Sequence, residues 1–162
     1  MNKRYSAIPI VMVFSEHEMV SQHKRYDAII IYSRQDKEKA ITLLTRLKDV
    51  IGNEAGLHVA LFDDPHFSCL EEALQASSIA FLLLTKDFCE NDWPSLCNNI
   101  MFAQTLYTQR PCTITPVVLP NKFEDHVKIP MGLKCIKQFR LDFEDELVKK
   151  SVTRIFNVKV RE

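Results

Sequence analysis

Residues 79–84 read Ile-Ala-Phe-Leu-Leu-Leu, six apolar residues without interruption. The run is too short for a buried helix and suits a strand covered on both faces. A sheet covered on both faces needs helices on each side, which points to an α/β chain. A second run, Tyr26-Asp27-Ala28-Ile29-Ile30-Ile31-Tyr32, is closed by the polar turn Ser33-Arg34-Gln35-Asp36, whose aspartate can cap a following helix. Ala40, Leu43, Leu44, Leu47 and Val50 then fall on one helical face, and Gly52 stops that helix. Residues 57–62 supply another apolar strand. Strand, helix, strand in this order makes a βαβ unit and implies parallel pairing.

The remaining chain continues the alternation. Asp63-Asp64-Pro65 ends the second strand in a turn. Ser68 stands three residues before Glu71, the spacing of a reciprocal capping box, and Leu70, Ala73 and Leu74 line the helix behind it until Ser77-Ser78. Pro94 suits a first helical position, after which Leu96, Ile100, Ala103 and Tyr107 align along one face. Residues 113–119 are a fourth strand, interrupted by Pro116 and so placed near an edge or bulged. A polar loop covers 120–130. Residues 136–141 alternate apolar residues with Lys137 and Arg140 as a fifth, edge strand. Residues 142–156 close with a helix whose Leu147, Val148, Val152, Ile155 and Phe156 are expected to face the core. The prediction is a single flavodoxin-like α/β domain, a five-stranded parallel sheet in the order 2-1-3-4-5 with helices on both faces. It spans residues 25–157, with an N-terminal extension over 1–24 and a tail over 158–162. In the extension, Pro9 demotes the apolar run 7–14 to an edge strand or packed arm. Ser15-Glu16-His17-Glu18 does not resemble a signal cleavage site, and Asn2 does not permit myristoylation.

Charge and composition exclude several functions. Lys plus Arg and Asp plus Glu are 21 each, which gives no electrostatic case for a nucleic-acid binder. The three glycines (Gly52, Gly56, Gly132) do not form a phosphate-cradling loop. Five cysteines (Cys69, Cys89, Cys97, Cys112, Cys135) lack a C-x-x-C pair and lie in or beside apolar runs, the pattern of reduced, buried thiols in a cytoplasmic protein. The histidines His17, His23, His58, His66 and His126 lack ligand spacing, so no metal site is expected. No apolar run approaches the roughly 20 residues of a membrane span, and no membrane insertion is expected.

With these elements in place the chain resembles the Toll/interleukin-1 receptor (TIR) domain. Tyr26-Asp27-Ala28 through Tyr32-Ser33 matches the first family box. Phe81-Leu82-Leu83-Leu84-Thr85, then Asp87-Phe88 and Trp93, matches the third-strand segment. The second box departs from the receptor pattern. Where receptors carry Arg-Asp-x-x-Pro-Gly, this chain has Asp63-Asp64-Pro65-His66-Phe67-Ser68. Phe67-Ser68-Cys69-Leu70 through Thr85 is most similar to the TRIF and TRAM adaptor branch.

The resemblance implies a choice between chemistry and association. Some TIR domains cleave NAD with a glutamate four residues beyond the tryptophan. Here that position is Cys97, followed by Asn98 and Asn99, and there is no carboxylate from Pro94 to Gln109. A neutral thiol is a weak donor and acceptor and cannot replace that glutamate. Glu90 and Asp92 precede the helix as caps or solvated groups. The expectation is therefore no catalytic residue and no cofactor. The chain reads as a cytoplasmic signalling adaptor or scaffold of innate immune, Toll-like receptor pathways, acting by homotypic TIR–TIR association. Its partners are TIR domains of receptors or adaptors, with self-association expected. The alternatives are an NAD-cleaving TIR enzyme with a displaced active site and an inhibitory TIR decoy.

For association, the resemblance makes Asp63, Asp64, Pro65, His66, Phe67 and Ser68 the interaction loop. The aspartates would steer toward basic partners, and Phe67 is either an exposed anchor or a staple under the next helix. Lys149, Lys150 and Arg154, with Lys159 and Arg161, form a possible second surface or a plain solvated helix face. Trp93 reads as a core anchor.

Overall fold

The computed structural model describes residues 26–51, 56–63, 65, 67–120, 127–141 and 145–156. Its strands are β1 (Tyr26–Ile31), β2 (Val59–Leu61), β3 (Ser77–Leu84), β4 (Thr113–Val118) and β5 (Phe139–Arg140). Its helices are α1 (Lys37–Ile51), α2 (Leu70–Ala76), α3 (Trp93–Cys97), α4 (Ile100–Thr108), α5 (Met131–Lys134) and α6 (Asp145–Phe156). The strands form one sheet in the order β2-β1-β3-β4-β5. Every pairing is parallel: β1 pairs Ala28 with Val59 of β2, and β3 pairs Ile79 with both Ala28 and Thr113.

Strand alternation sorts the side chains into two cores. Ile29, Ile31, Ala80, Leu82, Leu84 and Ile114 meet Leu74, Phe88, Phe102 and Leu133 on one face. Ala28, Ile30, Ile79, Phe81, Leu83 and Val117 meet Leu43 and Leu47 of α1 and Val148 and Val152 of α6 on the other. The central strands β1 and β3 are buried on both sides, which their unbroken apolar sequence requires.

Several boundaries differ from the sequence pattern. Ser77 and Ser78 belong to β3, and α2 passes into it without a turn; Ser77 donates to Ala73 O (2.7 Å) and so closes the helix from inside the strand. The predicted helix after Trp93 is two helices. Asn99 caps α4 by accepting from Phe102 N (2.8 Å), and the break at Asn98-Asn99 resets the helical phase. Phe102 and Thr105 therefore point inward. Ile100, Ala103 and Tyr107, aligned along one face by their spacing, point out. Leu147 of α6, expected inside, is half exposed, while Val148 and Val152 are buried.

Pro116 neither ends nor bulges β4. Ile114 N faces away from β3 and is taken by the Gln109 side chain (2.8 Å). Pro116, two residues on, presents its missing donor to the same outer edge, so nothing is left unpaired. Val118 O then accepts from Leu141 N (3.3 Å), beside the short β5. Gln109 sits at φ 56° and closes α4, the left-handed turn that usually takes glycine or asparagine. Its amide also donates to Leu106 O (2.8 Å), so one side chain joins the helix end to the sheet edge.

Candidate functional site

The loop expected to carry the interaction begins at Asp63, where the chain leaves the carboxyl end of β2. Asp63 is not a free steering charge. Its carboxylate pairs with Lys37 Nζ on α1 at 2.6 Å. It also lies beside the Tyr32 hydroxyl at the end of β1, and these two contacts hold its pKa below the ordinary value. The Tyr32 phenol is pushed above its ordinary range, by burial first and then by this carboxylate.

At its far end the loop is also tied down. The Phe67 ring is half buried and packs edge-on against Tyr26, with centroids 5.0 Å apart. That favours the staple over the exposed anchor. The cap behind it is displaced by one residue from the predicted spacing. Helix α2 starts at Leu70, so Glu72 is its third residue and its carboxylate takes Ser68 N (3.0 Å) and Ser68 Oγ (2.6 Å). Glu71, assigned that role from sequence, instead accepts from Asn99 Nδ2 (2.6 Å) at the head of α4. This bond, then its backbone and Cys69, lower its pKa. Asp64 and His66 lie outside the described residues. Pro65, Ser68 and Cys69 are exposed and form the loop's outer surface.

Beneath the loop, the carboxyl ends of β1 and β3 are bolted together. Thr85, buried at the end of β3, donates to Asp36 Oδ2 (2.6 Å) and accepts from Phe88 N (3.1 Å). Asp36 is also held by Lys39 at 2.8 Å. Ser33 donates to Asp87, whose other oxygen accepts from Asn91 Nδ2 (2.6 Å). Asp36 thus joins two strand ends instead of simply capping α1. The chain then passes through a π turn (Phe88–Asp92) into α3, where Trp93 packs edge-on against Phe102 at 6.1 Å. Trp93 is a core anchor with one edge left at a hollow of about 470 Å³, walled by Cys89, Ile129, Pro130 and Met131.

Cys97 lies at the end of α3. It is exposed, contrary to the buried thiol expected, and what burial it has raises its pKa. A protonated surface thiol is a poor nucleophile. Of the five cysteines only Cys112 is buried; Cys69, Cys97 and Cys135 are exposed and Cys89 is half buried, so apolar sequence neighbours misplaced four of them. Among the described residues no three His, Cys, Asp or Glu side chains come close enough to hold a metal ion, and no helix is long and apolar enough to cross a membrane.

The second predicted surface is partly gathered. Lys150 and Arg154 line a groove of about 690 Å³ between α6 and the β4–β5 edge. Lys137 and Arg140 complete its basic rim, and Ile114, Ile136, Phe139 and Ile155 line its apolar part. Sequence reasoning treated Lys137 and Arg140 only as edge-strand protection; their alternation with apolar residues was the available signal. Lys149 is exposed but stands outside this groove, and Lys150 also pairs with Glu146 at 3.1 Å. Lys159 and Arg161 lie outside the described residues.

No protein-family model matches the chain, and no curated protein matches it. Solved structures do. The TIR domain of the Toll-related receptor TRR-2 from Hydra magnipapillata aligns over 82% of this chain and 98% of its own, with 18% identity and a TM-score of 0.52. The TIR domains of the activated Roq1 resistosome, a structure that recognises the pathogen effector XopQ, align over 83% of this chain and 85% of theirs, with 16% identity and a TM-score of 0.41. The parallel sheet in the order 2-1-3-4-5 and the likeness to the Hydra domain identify the fold: it is that of a TIR domain.

Proposed function

We propose that this chain is a TIR-domain signalling adaptor or scaffold of Toll-like receptor pathways. An adaptor most like the TRIF and TRAM branch, it acts in the cytoplasm by binding TIR domains of receptors or adaptors, without catalysis. The observation that carries the reading is the α3–α4 segment within a TIR fold. From Trp93 to Gln109 it contains no charged residue, and an exposed, protonated Cys97 stands where the NAD-cleaving members place a glutamate. A site without that carboxylate lacks the negative charge that would stabilise the ribosyl cation formed as the nicotinamide leaves. What the domain offers is surface: Asp63 is pinned by Lys37, and Phe67 and Ser68 by Tyr26 and Glu72, so that little ordering entropy is lost at these positions on binding.

The test is co-assembly with receptor and adaptor TIR domains, coupled to a signalling reporter in cells. Association with a gain of signalling supports the adaptor reading. Association that lowers signalling identifies a decoy, and no association with any TIR domain refutes the proposal.

A further inference from the structure

The hollow of about 470 Å³ beside Trp93 opens between the segment that follows β3 and the segment that follows β4. Lys86, Cys89, Glu90 and Trp93 form one wall, and residues from Lys128 to Lys134 form the other. Parallel α/β sheets bind their ligands among the segments that leave the carboxyl ends of the strands. The volume also lies within the roughly 300–1,000 Å³ of small-molecule sites. Cys97 does not line the hollow, so it is separate from the residue that stands where the NAD-cleaving members place a glutamate.

Two properties of the walls define what fits. Three lysines (Lys86, Lys128 and Lys134) stand against a single carboxylate, Glu90, in a chain whose charges otherwise balance. The rest of the lining is apolar, with Ile129, Pro130 and Met131 across from Cys89 and Trp93. An indole edge is the positive end of the ring quadrupole and packs against the negative face of a second ring. Gly132 of α5 keeps the space at that edge open. A Cβ there would lie 3.5 Å from Trp93 Cζ2, an ordinary contact, so any side chain at this position would stand against the indole. We propose that the hollow is a binding site for a small aromatic anion, its ring against the indole edge of Trp93 and its acid group among Lys86, Lys128 and Lys134.

Each half of the ligand answers one half of the site. An inorganic anion meets the lysines but leaves the apolar wall wet, and a neutral aromatic fills the wall but leaves the positive charge unanswered. Glu90 works against a second acid group and so favours a monoanion. The lysines are exposed, so their attraction is screened and binding weakens as salt rises. The ligand is held without any bond being made or broken, and the site stands independently of the TIR–TIR reading above.

Trp93 is the only tryptophan of the chain, so its single indole N–H resonance reports on the hollow directly. Naphthoate titrated into the whole chain should shift that resonance saturably, with a Kd of about 100 μM. The neutral alcohol of the same ring, and inorganic phosphate, should each bind about tenfold more weakly or less. Gly132→Ala should weaken naphthoate about tenfold while its unfolding midpoint stays level or rises, because alanine is the better helix former and meets no clash. Lys128→Gln combined with Lys134→Gln, both at exposed positions, should weaken naphthoate about tenfold and leave the neutral alcohol unchanged. An indole resonance unmoved up to about 2 mM naphthoate would overturn the proposal. So would phosphate or the neutral alcohol binding as tightly as naphthoate, a Gly132→Ala variant that binds like the parent, or lysine variants that weaken both aromatic ligands alike.

Discussion

Replacing Phe67 with alanine decides whether the loop's aromatic residue anchors a partner or the loop itself. Its ring is half buried and lies edge-on to Tyr26 at 5.0 Å, in the cluster that includes Leu70 and Leu74. Full burial of a phenylalanine is worth about 1.5–3 kcal/mol, so half burial contributes about 1 kcal/mol. The edge-on ring pair adds about 1 kcal/mol more. Phe67→Ala should therefore destabilise the fold by about 2 kcal/mol, which for a chain of this size lowers the unfolding midpoint by about 6 °C. Phe67→Leu keeps apolar volume and loses only the ring contact, so it should cost about half as much. A cycle with Tyr26→Leu should return a coupling of about 1 kcal/mol. Thermal and urea unfolding of the parent, the single variants and the double variant of the cycle provide the numbers. A midpoint within 1 °C of the parent, together with a large loss of TIR association, would refute the staple and restore Phe67 as the exposed anchor.

Thr85→Val keeps the shape of a buried side chain but removes the hydroxyl that joins Asp36 to Phe88 N. Losing a bond to a carboxylate and stranding an amide should cost about 3 kcal/mol in chemical unfolding, and a cost below about 1 kcal/mol would show that the strand ends are not held this way. Gln109→Ala keeps the left-handed backbone strain and should destabilise by about 1–2 kcal/mol through its two lost bonds. Gln109→Gly should recover part of that by relieving the backbone alone; equal costs would contradict this division. Asp63 has a depressed folded pKa, so its contribution is complete above the unfolded value near 4 and is lost as pH falls through the folded value. Lys37→Met should raise the Asp63 carboxyl titration seen by NMR toward that unfolded value, and an unmoved titration would remove Lys37 as the cause.

Much of the architecture was legible because it depends on periodicity alone. The unbroken run at 79–84 and the alternation of strands with helices required a covered parallel sheet, and both faces are filled as that pattern demands. What failed were features decided by single polar side chains. Asn99 takes Phe102 N and breaks the helix that the spacing of Leu96, Ile100 and Tyr107 had joined, so that Phe102 and Thr105 form the inward face of α4. Sequence spacing also placed the cap one residue early, because α2 begins at Leu70 and its third residue is Glu72. The site was less legible than the fold. Lys37, Tyr32 and Tyr26 are distant in sequence from the loop they restrain, and no local pattern announces a partner across 26 residues.

NAD turnover at protein concentrations that force assembly tests the central claim most directly, with Cys97→Ala measured alongside. The account predicts no consumption of NAD above background by either protein, while TIR association persists. Turnover by the parent chain would contradict it, and its loss in Cys97→Ala would place the chemistry at the residue read here as inert.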